Sequence, residues 1–319
     1  MNDMKAIARH FHSSARRAAL VLVALAAFAG CQTAEKSLDE ETVKVLMIGN
    51  SFSISCLTYL PKVAADCDVK LDLCSLYIGG CPLDRHVKNV RAELAEETKG
   101  EKGAYLYGRV KRNGARKTLK NAKLTDTLKA AKWDVVTIQQ ASDKSWKAES
   151  YEPWGDELIA AIRKFAPQAK IVVQETWSYT PFDKRLANWK IGPDEMYEKL
   201  SKAYRGFAKK RGLEVIPTGD AVQAWRRELP VRYTDHSFGG DVVGGRNQKE
   251  GDHFKRNPDM TWSPNADVSH LNEKGEYLQA LVWAKSLLKA DVDKFKDRPD
   301  CVTEQEDKLM HEIAKELGK

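Results

Sequence analysis

VKVLMIGNSFS, residues 43–53, is the stretch on which the fold turns. Val43, Val45, Leu46, Met47 and Ile48 make an apolar run of strand length. Gly49, Asn50 and Ser51 follow, and then a segment that can start a helix. A strand that ends in a glycine, an amide and a serine has two readings. One is a turn that caps a helix. The other is a nucleophile on a strand-to-helix elbow.

Outward from this stretch the pattern repeats. Apolar runs occur at Val69–Tyr77, Val135–Gln139, Ile171–Gln174 and Leu213–Ile216. Helical spacing lies between them, at Leu57–Ala65, Leu83–Ala95, Leu124–Ala131, Glu157–Phe165, Met196–Ala208 and Asn272–Leu288. Pro167 stops one helix, and the basic run Lys209-Lys210-Arg211-Gly212 ends another. Strands alternating with helices predict an α/β fold, a parallel sheet covered on both faces. Residues 103–118 read as an inserted hairpin with an Asn113-Gly114 turn. Residues 228–266 are polar and weakly periodic, and read as a long loop of functional importance. Residues 302–319 predict an amphipathic helix with Leu309, Ile313 and Leu317 on one face.

The first 31 residues stand apart. Lys5, Arg9, Arg16 and Arg17 precede an apolar stretch, Ala18 to Gly30, that ends at Cys31. This is the pattern of an export signal, with an apolar core shorter than the roughly 20 residues of a membrane span. Phe28-Ala29-Gly30-Cys31 resembles a bacterial lipobox, which implies lipidation of Cys31 and a membrane held through that anchor; plain secretion is the alternative. The expected organisation is a signal peptide over 1–31, a polar tether over 32–42, a catalytic domain over 43–290 and a helical extension over 291–319. The net charge is +7, of which the leader's four cations against Asp3 account for +3. So mild and dispersed a charge gives no footprint for nucleic acid. Lys111 to Lys117 is the densest basic patch and reads as the solvated tip of the hairpin. Cys56, Cys67, Cys74, Cys81 and Cys301 remain after Cys31, and Cys67 with Cys74 or Cys56 with Cys81 are pairings that oxidation outside the cytosol permits.

In an open α/β sheet the site forms at the carboxyl ends of the strands. Gly49-Asn50-Ser51 follows the first strand and Gly79-Gly80-Cys81-Pro82 the second. Gln139-Gln140-Ala141-Ser142-Asp143 follows the third, and Asp267-Val268-Ser269-His270 precedes the last long helix. A serine nucleophile needs a base for its proton, and the base needs a carboxylate to fix its tautomer. Asp267 can curl back to His270 across a turn. The Ser51 N–H, the Gly80 N–H and the Gln140 amide are the expected oxyanion donors. His236 and His253, each beside an aspartate, lack the spacing of a metal site, and no metal or cofactor is expected. His86 faces the site or caps a helix.

Taken in this order, the blocks resemble those of the SGNH/GDSL hydrolases, serine esterases on a three-layer α/β/α sandwich with a flavodoxin-like parallel sheet. Gly49-Asn50-Ser51 stands for the family's Gly-Asp-Ser, Gly80 for its oxyanion glycine, and Asp267 and His270 for its Asp-x-x-His. The resemblance covers about residues 43–290. GNSFS, WDVVTIQQAS, QETWSY and IPTGDAVQ are similar to a poorly characterised exported branch. Two positions depart from the pattern. Asn50 replaces an aspartate, and the usual Gly-x-Asn-Asp gives way to QQASD, so the third donor falls to Gln140, Gln139 or Ser142. The resemblance implies a serine esterase with Ser51, His270 and Asp267 as triad, Asn50 and Trp177 at the substrate, and an acylated carbohydrate as substrate. Lipid or peptidoglycan esters, or an inactive glycan-binding lipoprotein, are the alternatives.

Overall fold

Seven strands make the central sheet among the residues that the computed structural model describes, namely 42–95, 102–110, 116–234, 236–246 and 252–319. In chain order they are β1 (Val43–Gly49), β2 (Leu71–Tyr77), β3 (Tyr105–Val110), β4 (Arg116–Ala122), β5 (Val135–Ile138), β6 (Lys170–Gln174) and β7 (Glu214–Ile216). The spatial order is β4-β3-β2-β1-β5-β6-β7. Strands β2, β1, β5, β6 and β7 are parallel, with Val45 opposite Leu73 on one side and Val135 on the other. Taken alone they run in the flavodoxin-like order 2-1-3-4-5, whose crevice opens between the first and third parallel strands. Here that is the junction of β1 and β5, where Ser51 and the Gln139–Ser142 turn emerge.

The centre of the sheet and its β4 edge differ for a chemical reason. β1 is buried from Val45 to Gly49 and β5 throughout, as expected of strands covered on both faces. The hairpin β3–β4 pairs antiparallel with β2 and closes one edge. β4 is exposed from Arg116 to Asn121, and Arg116, Lys117 and Lys120 make it a poor template for edge-to-edge pairing. The sequence had marked the hairpin as an insertion; in the structure it is the sheet's continuation. Its Lys111–Ala115 tip lies outside the described residues, as do residues 1–41 with Cys31, and Asp235.

The helices are α1 (Ser51–Ile54), α2 (Leu60–Asp66), α3 (Leu83–Leu94), α4 (Leu124–Lys129), α5 (Trp154–Phe165), α6 (Lys184–Trp189), α7 (Pro193–Arg211), α8 (Thr218–Glu228), α9 (Glu273–Leu288) and α10 (Glu304–Leu317). α3, α4 and α5 pack on one another in one layer, and α2, α8, α9 and α10 in the other. α9 is buried without a break from Gly275 to Ala284, so it behaves as a core helix with no solvent stripe. α10 covers its outer side. Thr303 and Glu306 start α10 with a capping box, and Tyr277 donates to Asp307 at 2.7 Å. α7 ends at Gly212 in the left-handed conformation, as the KKRG run predicts.

The region 228–266 is less bare than its polarity suggests. It contains a small hairpin, β8 (Phe254–Arg256) with β9 (Trp262–Pro264), and Val243 bridges to Leu271 beside the last helix. α6 and α8 have no counterpart in the periodicity reading. All five cysteines within the described residues are free thiols, so neither pairing forms; four are buried and Cys301 is exposed. Among the described residues no helix is long and apolar enough to cross a membrane.

Candidate active site

The turn after β1 is built around Asn50. Its Oδ1 accepts the Phe52 N–H at 3.0 Å and caps α1, and it also accepts Gln139 Nε2–H at 2.6 Å. Its Nδ2 donates to the Cys81 carbonyl at 3.3 Å. One buried amide thus ties together the exits of β1, β2 and β5. Gly49 is needed there for space: a Cβ would stand 2.6 Å from Ser53 Oγ. Asn50 is 1 % exposed, so its place at the substrate, expected from sequence, is corrected to a structural one.

Ser51 opens α1 and is half-buried, with its backbone N–H in the helix's first turn, where no intrahelical acceptor exists. Its hydroxyl lies 2.7 Å from His270 Nε2, although the two residues are 219 positions apart in the chain. His270 Nδ1 lies 2.5 Å from Asp267 Oδ2. A carboxylate only accepts, so Nδ1 carries the proton and Nε2 of the neutral ring is left to accept from Ser51 Oγ–H. Asp267 Oδ1 accepts the backbone N–H of Ser269 at 2.8 Å and of His270 at 2.9 Å. Burial alone would raise the Asp267 carboxyl. The His270 hydrogen bond and the two backbone donors outweigh it and hold the group well below the usual carboxylate range. The loop is also held from outside, by Gly244 N–H on the His270 carbonyl at 2.9 Å and Gly245 N–H on that of Asp267 at 2.8 Å.

Gly80 sits at the third position of a turn closed by Cys81 N–H on the Ile78 carbonyl at 3.2 Å, with φ +58°. A side chain there would be strained, which explains the glycine. The turn is exposed, and it is fastened to the nucleophile's turn through Asn50 and through Ile78 N–H on the Gly49 carbonyl at 3.2 Å.

Gln140 does not meet its expectation. Its Nε2 donates to the Ser150 carbonyl at 2.8 Å and to Ser150 Oγ at 3.1 Å, while its Oε1 accepts from Leu83 N–H and Ala141 N–H. The amide is spent on clamping the loop after β5, so the oxyanion role is corrected. Gln139 is 2 % exposed and is turned to Asn50. Ser142 shares a hydrogen bond of 2.8 Å with the Tyr179 hydroxyl. Two hydroxyls bring two protons, and one bond between them leaves one proton to donate elsewhere.

Trp177 is also corrected. It is fully buried and stacks on Phe52 with ring centres 4.3 Å apart, so it offers no face to a sugar. A tryptophan after a strand suits a core as well as a sugar platform, and its neighbours decide. His86 is buried on α3, bonded through Nδ1 to Tyr105 OH at 2.9 Å, and burial lowers its pKa to about 3. It is a neutral core histidine. Two cavities, of about 580 and 820 Å³, are lined by neither Ser51 nor His270. Asp267 and His270 keep about a third and a quarter of their side-chain surface open.

Residues 44–238 match a family described as a domain of unknown function, DUF4886. Among solved structures, a DUF4886 family protein from Bacteroides uniformis is similar at 26% identity and a TM-score of 0.68, over 86% of this chain and 94% of that one. A carbohydrate esterase family 3 protein from Talaromyces cellulolyticus is similar at 12% identity and a TM-score of 0.44, over 80% of this chain and 100% of that one. A member of the lipolytic G-D-S-L family from Veillonella parvula is similar at 10% identity and a TM-score of 0.40, over 77% and 99%. No curated protein matches the chain.

Proposed function

The chain belongs to the DUF4886 family, and on that premise we propose that it is a serine esterase that removes acetyl groups from a carbohydrate. The observation that carries this reading is the relay from Ser51 Oγ to His270 Nε2 at 2.7 Å and from His270 Nδ1 to Asp267 Oδ2 at 2.5 Å. These distances lie within reach for proton transfer without any rearrangement.

Ser51 Oγ attacks the ester carbonyl while His270 Nε2 takes its proton. Asp267, kept ionised, holds the ring in the required tautomer and stabilises the imidazolium. The Ser51 and Gly80 backbone N–H groups receive the oxyanion, and the spare proton of the Ser142–Tyr179 pair is the side-chain donor in place of the absent asparagine. His270 then protonates the departing alcohol, which leaves an acyl group on Ser51. Water, deprotonated by the same nitrogen, releases the acid.

Two observations support this substrate: the partly open site and the export pattern of the leader. A half-buried serine beside a partly open Asp267 and His270 suits a small acyl group on a bulky surface-lying chain better than a long acyl tail, which needs an apolar tunnel to bury it. An envelope protein anchored through Cys31 would meet such polymers. Acetate release from a panel of acetylated polysaccharides, beside esters of long fatty acids, tests this. Release from at least one glycan, abolished in Ser51→Ala, is expected. Faster turnover of the long-chain esters would transfer the protein to lipid substrates, and no turnover of any ester would leave a glycan-binding role.

A further inference from the structure

We propose that Trp177 and Thr180, on the segment that leaves β6, are positioning residues that set the distance between Ser51 and His270. The inference rests on the esterase reading and adds to it what holds the relay in register.

The segment grips both halves of the site. On the base side, Trp177 Nε1–H donates to the Ser269 carbonyl at 2.9 Å. Thr180 donates to the Val268 carbonyl twice, from its backbone N–H at 3.2 Å and from its hydroxyl at 2.9 Å. Val268 and Ser269 are the two residues between Asp267 and His270, so three donors fix the backbone that spaces the acid from the base. On the nucleophile side, Phe52 directly follows Ser51. Its ring lies on Trp177 at 4.3 Å with planes 20° apart, and it also meets the rings of His270 at 5.0 Å and Tyr179 at 6.4 Å. The Phe52 carbonyl accepts from Gln174 Nε2, the last residue of β6, at 2.8 Å, and from Gln279 Nε2 of α9 at 3.1 Å.

Trp177 therefore touches the residue beside each partner, Phe52 by its ring and Ser269 by its N–H. It is fully buried, as is Thr180, so neither meets solvent or substrate. The base loop also meets the nucleophile turn directly, through the Ser51–His270 bond and the Phe52–His270 ring contact. Reactive groups misplaced by about 1 Å lose of the order of a hundredfold in rate. Rigid packing from β6 prevents that drift.

Trp177→Phe separates the two contacts, since it keeps a ring against Phe52 and removes the donor. Thr180→Val removes the hydroxyl donor and keeps the shape. Each variant is compared with the wild type for p-nitrophenyl acetate turnover, for the rate of covalent inactivation by a fluorophosphonate, and for melting temperature. The expected result is a kcat about tenfold or more lower in Trp177→Phe, an inactivation rate lowered by a similar factor, and KM within about twofold, with a smaller loss of the same kind in Thr180→Val. A packing role alone would lower the melting temperature and leave the turnover of the folded protein unchanged, and that result overturns the proposal. A wild type inert to both reagents overturns the esterase reading, and the positioning role with it; an active wild type whose variants are equally active overturns the positioning role alone.

Discussion

Two carboxyl groups near the carboxyl ends of the strands are treated in opposite ways. Asp267 is partly open and surrounded by donors, and it is held ionised far into acid. Glu175, the residue after β6, is fully buried; its Oε2 accepts one backbone N–H, from Asp220 at 3.0 Å. Burial first, and then the Asp220 charge, push its pKa up to about 8. Asp220 meanwhile takes Tyr197 OH at 3.0 Å, Ser201 Oγ at 3.3 Å and the Arg205 guanidinium. The cluster behind β6 is bonded within itself except at Glu175 Oε1, which is buried without a partner among the described residues. The cluster at β1 pairs one serine hydroxyl with one imidazole nitrogen at a partly open surface. On the esterase reading, the cluster behind β6 serves the fold and the cluster at β1 serves chemistry.

The largest expected effect breaks or keeps the first half of this contrast. Asp267→Asn should fold normally and lower kcat by about 10³–10⁴, because the ring loses its tautomer lock; p-nitrophenyl acetate turnover measures it. A loss under tenfold would remove Asp267 from the relay. Next, Ser142→Ala should lower kcat by about tenfold or more with KM unchanged, as the loss of one oxyanion donor does. Gln140→Ala should instead leave kcat within about threefold and cost about 1–3 kcal/mol of stability, since the N–H groups of Leu83 and Ala141 lose their buried acceptor; urea denaturation reads it. Reversal of this pair would return the oxyanion role to Gln140.

The smallest effect concerns pH. Glu175 has a folded pKa above its unfolded value, so it binds its proton in the folded state where the unfolded chain has lost it. Its contribution is full below the ordinary carboxylate range and is lost as the pH rises to about 8. Asp267 has the opposite sign: its contribution is present at neutral pH and is lost only in strong acid. Thermal melts from pH 5 to pH 8 should therefore fall more steeply in the wild type than in Glu175→Gln. Equal slopes would mean that Glu175 is not held neutral.

The parts of the site that were legible in the sequence are those set by local geometry. A glycine, an amide and a serine after a buried strand, and an aspartate three residues before a histidine, meet at the sheet's switch point because topology brings them there. The side-chain donors were not legible. Gln139 and Gln140 are adjacent and chemically alike, and their directions depend on Asn50 and Ser150, which no periodicity relates to them. Trp177 was misread for the same reason: a tryptophan after a strand suits a platform or a core, and the Phe52 ring decides. The β3–β4 hairpin was visible as a hairpin, but its pairing with β2 is a non-local choice. α6 has only six residues, and α8 begins at Thr218-Gly219 directly after Pro217, so neither carries a long apolar period.

The identity of the nucleophile is tested most directly by intact-mass analysis after fluorophosphonate treatment of the wild type and Ser51→Ala. One adduct per chain, mapped to Ser51 and absent from the variant, is the predicted result. No adduct on the folded wild type, or an adduct that persists in Ser51→Ala, would contradict it.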